Sequence, residues 1–102
     1  IENLPYGAIV ETNAVFSDNK VTPVMSGAIP ENVNQLVAKI SLEQMALLEA
    51  INNRNLEDIF FIFCSDPNVT CSMGEARELF VQMLENTKKY LTDYDLTGVC
   101  AQ

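Results

Sequence analysis

The chain has 102 residues, one domain's worth, and can bury only a modest core. Its 48% apolar and 20% charged residues fit a folded protein and exclude a disordered one, and no apolar run approaches the ~20 residues of a membrane helix. Fourteen acidic against six basic residues leave a net charge of −8, which repels phosphate backbones and anionic lipid and argues against nucleic-acid and membrane partners.

The first 27 residues carry the strand signals. Ala8 to Phe16 is short, apolar and β-branched, Ser17 to Lys20 is turn chemistry, and Val21 to Met25 is a second extended run. Two such runs split by four polar residues predict a β-hairpin. Pro23 cannot donate to a ladder, so the second strand should be short or an edge. From Pro30 the period becomes helical: Val33, Leu36, Val37, Ile40, Leu47, Leu48 and Ile51 share one stripe, while Leu42, Met45, Ala46 and Ala50 make another. That pattern predicts a long helix packed on two sides, ending at Asn52-Asn53. This helix is the available cover for the hairpin.

Asn55 with Asp58 predicts a fresh helix start. Ile59 to Cys64 then runs apolar all round, as in a buried centre or a surface that expects a partner. Asp66-Pro67-Asn68 breaks it, and Ser72 with Glu75 forms an S-x-x-E capping box opening a third helix. Ala76, Leu79, Phe80, Met83, Leu84 and Thr87 line one face of that helix, and Thr92 to Gln102 carries little pattern. The expected fold is α+β, an N-terminal β-hairpin followed by three α-helices, in one domain over residues 1–102. A two-stranded hairpin is marginal alone. The sheet therefore reads as the end of one begun upstream of Ile1, making the chain a fragment of a larger protein.

Cys64, Cys71 and Cys100 are odd in number and include no CxxC, which argues for a reducing, cytoplasmic location and for buried or idle thiols over a bridge. Asn68-Val69-Thr70 is a formal glycosylation sequon of a kind that arises often by chance. No histidine is present, which removes Ser-His and Cys-His nucleophiles and the commonest metal ligand. Gly7, Gly27, Gly74 and Gly98 are isolated, so no phosphate-cradling loop exists. Tyr6 as a phenol, Cys71 ahead of a helix N-terminus and Glu11 on a strand are the candidates for chemistry. Each has a plainer structural reading: Tyr6 has nothing nearby to shift its acidity, Cys71 packs under its loop, and Glu11 lies on a solvated face. No catalytic, cofactor-binding or metal residue is assigned.

The blocks "NLPYGAIVET" and "VTPVMSGAIP", followed by the helix with "LLEA", resemble the closing region of glycoside hydrolase family 4. Asn3, Leu4, Pro5, Ala8, Val10 and Glu11 match its N-L-P-x-x-A-x-V-E pattern, and Pro23, Gly27, Ile29 and Pro30 match P-x-x-x-G-x-L/I-P. Asp66, Pro67, Val69, Ala76, Leu79, Phe80, Met83 and Leu84 match a later block, so the resemblance covers roughly residues 1 to 90. It implies the end of a lactate/malate dehydrogenase-like C-terminal domain. The missing N-terminal Rossmann half would hold NAD, with a divalent metal, usually manganese, for glycoside cleavage by oxidation and elimination. The family's glycine-rich loop, metal-binding cysteine and histidine, and catalytic tyrosine lie upstream, and none of those roles passes to Tyr6 or Cys71.

This chain departs from the family at Asp18-Asn19-Lys20, where a glycine turn is usual. It also lacks the proline-cysteine that follows V-E in phospho-glycosidases, which points to the branch acting on alpha-galactosides or uronides. Expected partners are the missing Rossmann half and a second copy, with Val15 and Phe16 near the contact. Two alternatives remain open: a stand-alone helical interaction module using Ile59–Cys64, and a small secreted protein.

Overall fold

The computed structural model describes residues 1–99, so Cys100 lies outside the described residues. A hairpin of β1 (Ala14–Ser17) and β2 (Lys20–Pro23) is followed by α1 (Glu31–Asn52), α2 (Leu56–Ser65), α3 (Met73–Thr87) and a 3-10 turn over Lys88–Tyr90. The expected α+β plan of one hairpin and three helices is therefore present. Contacts divide the chain into two compact units, Ile1–Met45 and the part from Ala46 onward.

In the first unit the strands are shorter than their sequence suggests. The antiparallel register pairs Ala14 with Pro23, Val15 with Thr22, Phe16 with Val21 and Ser17 with Lys20. β1 begins at Ala14 and not at Ala8, its first residue paired with Pro23, the last residue of β2. One further bond, from Val24 N–H to the Asn13 carbonyl at 2.8 Å, extends the pairing, and the Thr12 hydroxyl donates to the Val24 carbonyl at 2.8 Å. The two-residue loop places Asp18 at φ 38° and Asn19 at φ 96°. Positive φ at both central residues is the primed-turn geometry that matches strand twist, and Asp and Asn tolerate it better than most non-glycine residues.

The "NLP" block and the "GAIP" block are stapled together. The Asn3 amide donates to the Ile29 carbonyl at 2.8 Å and accepts from Ile29 N–H at 2.9 Å, and Glu2 N–H donates to the Gly27 carbonyl at 3.1 Å. Between them, Ala8 N–H closes a β-turn onto the Pro5 carbonyl at 3.1 Å. Gly7 takes its third position at φ 92°, where a side chain would be strained.

α1 does not pack on two sides as its pattern predicts. Leu36, Ile40, Leu42 and Leu48 are all more than half exposed, and only Ser41 and Ala50 along the helix are buried. Nor does the helix cover the hairpin, whose residues are exposed apart from half-buried Ala14. A strong apolar period can be laid down for a partner as readily as for the chain's own core. The helix ends at Asn52 as expected, but the left-handed residue that turns the chain is Arg54, at φ 54°.

The core lies in the second unit. Leu56 and Phe60 from α2 meet Ala76, Phe80 and Leu84 from α3, each set spaced by four residues so that it falls on one helix face. Ala76, 1% exposed, has no bulk to hold the helices apart. The Phe60 and Phe80 rings then sit tilted at 5.4 Å, and Phe63 lies 5.9 Å from Phe80. The apolar Ile59–Cys64 run divides: Phe60 is buried, Ile59, Phe63 and Cys64 are half-buried, and Phe61 is 58% exposed. On α3, Leu79 and Met83 from the expected stripe are also largely exposed. Leu91 and the tail, patternless in sequence from Thr92, pack on this core through Leu91, Tyr94, Leu96 and Val99, and the Tyr94 hydroxyl donates to the Ile51 carbonyl at 3.1 Å.

Asn55 caps α2, its side chain accepting from Asp58 N–H at 3.2 Å. The predicted box at α3 is complete: Glu75 N–H donates to the Ser72 hydroxyl at 3.3 Å, and Ser72 N–H donates back to the Glu75 carboxylate at 2.9 Å. Ser72→Ala should cost roughly 1 kcal/mol of stability. A urea midpoint unchanged from wild type would show that the cap contributes nothing.

Candidate functional site

The residues singled out for chemistry do not converge. Tyr6 stands fully exposed at the tip of the Pro5–Ala8 turn, and Glu11 is exposed on the irregular approach to β1. Cys71 does not pack under its loop but is exposed one residue before the α3 cap, because the capping box turns the Ser72–Glu75 segment back on itself. Both Cys64 and Cys71 are free thiols. The Cys64 Sγ lies 3.7 Å from the Met73 sulfur, a soft contact bridging the two ends of the α2–α3 connection.

In the second unit one ion pair links α2 to α3. Arg77 donates from both terminal nitrogens to the Glu57 carboxylate, at 3.0 and 2.8 Å. Its guanidinium also lies 3.7 Å from the centre of the Phe60 ring. The hydrogen bonds from Arg77 hold the Glu57 carboxyl below its ordinary value, and Glu57 in turn raises Arg77. This is a clasp between α2 and α3, not a reactive group, since both partners are committed to each other. Elsewhere Ser72 holds the Glu75 carboxyl low through the cap, and Thr97 does the same for Asp95.

Among the described residues, no group of three His, Cys, Asp or Glu side chains could hold a metal ion, and no helix is long and apolar enough to cross a membrane. With histidine absent from the chain and its glycines isolated, these residues do not fit a metal or a dinucleotide. An apolar groove of ≈ 480 Å³ runs along α3 between Ile51, Met83, Leu91 and Tyr94 and carries no charged side chain.

The hairpin presents exposed apolar side chains. Val15 is 57% exposed and Phe16 78%, but they point to opposite faces because strand side chains alternate. The register puts Ala14, Phe16, Val21 and Pro23 on one face, all apolar. Val15, Ser17, Lys20 and Thr22 form the other, mixed face. The alternation was legible in "AVFS" and "KVTP", but only the register says which residues sit opposite each other. Asn3 and Arg77 carried no signal of their roles, since a staple and a clasp depend on distant partners.

Residues 1–69 match the family model described as the family 4 glycosyl hydrolase C-terminal domain. The alpha-galacturonidase of Thermoanaerobacterium saccharolyticum is 50% identical over 96 residues, covering 94% of this chain and 21% of that protein. That of Thermoanaerobacter italicus is 35% identical, covering 89% of the chain and 20% of the relative. A Bacillus subtilis alpha-galactosidase is 30% identical, covering 72% and 17%. No solved structure gives a significant match. The chain thus spans about a fifth of the length of the curated relatives it matches. The third sequence block, most of which lies beyond residue 69, falls within the 96-residue match. Its blocks, its hairpin-and-helix plan and these matches together place the chain in the family 4 glycosyl hydrolases, as a C-terminal domain of that family.

Proposed function

We propose that the chain is the non-catalytic C-terminal part of an alpha-galacturonidase, whose chemistry resides in the polypeptide outside these 102 residues. The observation that carries this reading is the 50% identity to an alpha-galacturonidase over nearly the whole chain. Further alpha-galacturonidases match at 35% and 40% identity, against 30% for the alpha-galactosidase. On this reading NAD and a divalent metal, manganese in the family's usual form, are held by the Rossmann half. NAD would supply the redox step there. This chain's contribution is structural: its stapled N-terminal blocks, hairpin and α2–α3 core complete the fold around that half. The free thiols at Cys64 and Cys71 support a reducing compartment, and the cytoplasm is the proposed location.

The test is an assay of nitrophenyl galacturonides and galactosides with NAD, manganese and a reductant. The isolated chain should give no turnover, and the full-length enzyme should prefer galacturonides. Turnover by the isolated chain above a boiled control would place the active site here. A full-length enzyme that prefers galactosides would overturn the substrate class.

A further inference from the structure

We propose that Cys64, Met73 and Cys71, at the α2–α3 connection, form a binding site for a soft monovalent cation of the copper(I) class. The site is independent of the activity proposed above and uses no residue outside the second unit.

Its placement comes from one sulfur pair. The Cys64 thiol donates to the Met73 thioether at 3.7 Å, although the two residues stand nine positions apart in the chain. With metal–sulfur bonds of ~2.3 Å, two sulfurs on one ion lie ~3.8 Å apart at a tetrahedral angle and ~4.0 Å apart at a trigonal one. The pair is therefore spaced to share an ion with almost no movement. A linear site with two ligands would hold the sulfurs ~4.6 Å apart, so the observed spacing calls for a third ligand. Cys71 supplies it, as a free and exposed thiol two residues before Met73.

Local structure fixes both ends of the site. Cys64 lies in α2, half-buried against the core built on Phe60 and Phe80. Met73 opens α3 directly after Ser72, where the capping box holds the backbone. The connection folds back between them: Val69 N–H donates to the Asp66 carbonyl at 2.9 Å, and Asn68 N–H donates to the Asp66 carboxylate at 2.8 Å. Met73 is 59% exposed and Cys71 is exposed, which leaves the ion a path from solvent.

The donor set selects the ion. Thiolate and thioether sulfur are soft ligands that favour copper(I) over the hard ions taken by carboxylate and water. Zinc prefers four thiolate, imidazole or carboxylate ligands, and a thioether is none of these. The cluster thus lies outside the His, Cys, Asp and Glu groups that a divalent ion would need among the described residues. Binding replaces each thiol proton by a bond to the ion, so two protons leave to solvent and nothing is oxidised or reduced. Two thiolates around one monovalent cation leave a single net negative charge. Arg77, raised first by its hydrogen bonds to Glu57 and also by the charge on Cys64, stands near enough to offset it.

Anaerobic titration of the full-length protein with copper(I), against a chromogenic copper(I) chelator, tests this, and silver(I) repeats it without redox chemistry. Ligands elsewhere in the polypeptide cancel when each variant is compared with wild type. Met73→Leu keeps both thiols and nearly the same volume. It should weaken one equivalent by at least the ~10-fold that loss of a contact behind a metal ligand costs. Cys64→Ser and Cys71→Ser should each abolish that equivalent. Met73 and Cys71 are exposed, so their variants leave the core intact should Cys64→Ser fail to fold. Unchanged affinity in Met73→Leu would reduce the site to ordinary thiol capture and overturn the proposal. Wild-type binding by Cys71→Ser would overturn it equally, by removing the third ligand. Displacement of copper(I) by an equal concentration of zinc(II) would overturn the choice of ion.

Discussion

Phe80→Ala should lower the unfolding free energy by roughly 3–5 kcal/mol, a large share of the ~5–15 kcal/mol that holds a typical domain together. Phe80 is 4% exposed and stands between two other rings, Phe60 at 5.4 Å and Phe63 at 5.9 Å. Truncation removes its transfer free energy and leaves a cavity among Leu56, Phe60, Ala76 and Leu84. The wall cannot close easily, because the capping box holds one end of α3 and the tail packs through Leu91 and Tyr94 at the other. The effect is read as a shift in urea midpoint. Leu79→Ala, on the same helix but 45% exposed, should cost much less. Equal shifts for the two variants would mean that α3 does not face the core through Phe80.

Arg77→Ala comes next, at roughly 1–2 kcal/mol, most of it from the contact with Phe60 and the remainder from the exposed ion pair. The two contributions separate with pH. Glu57 has its folded value lowered beneath the ordinary 4.5 by Arg77, so the stability from the pair is fully present above the ordinary value. It is lost as pH falls through the lowered folded value and the carboxylate takes up a proton. Arg77 stays charged throughout, so its attraction to the Phe60 ring survives. The gap in urea midpoint between wild type and Arg77→Ala should therefore narrow below about pH 4.5 without closing. A gap constant from pH 7 to pH 3 would show that the Glu57 pair contributes nothing. A gap that vanishes would show the same of the ring contact.

Local chemistry was legible in the sequence wherever its partners lie within a few residues. The Ser72–Glu75 box, the Asn55 cap and the Asp66 break all stand where residue type and spacing put them, because a cap is satisfied by backbone three positions away. Helix α1 likewise follows from its period, since α-helical hydrogen bonds close within the segment. The family blocks were legible for a different reason, as residue identities at fixed spacing, and the family match over residues 1–69 contains the first two of them.

What only the tertiary structure decided is what those elements bury. The stripe of α1 reads as core in sequence, yet Leu36, Ile40 and Leu48 stand exposed, because apolar spacing records that a face wants cover and not who provides it. The reverse holds at the tail, where Tyr94, Leu96 and Val99 show no period. They pack on the core nonetheless, since an irregular segment obeys contact geometry alone. Strand β1 is confined to Ala14–Ser17, the stretch with partners in Lys20–Pro23 on the opposite strand, a constraint absent from β1's own residues. For the same reason Val15 and Phe16, neighbours in the chain, face opposite ways, and only the register turned an apolar hairpin into one with a single apolar face.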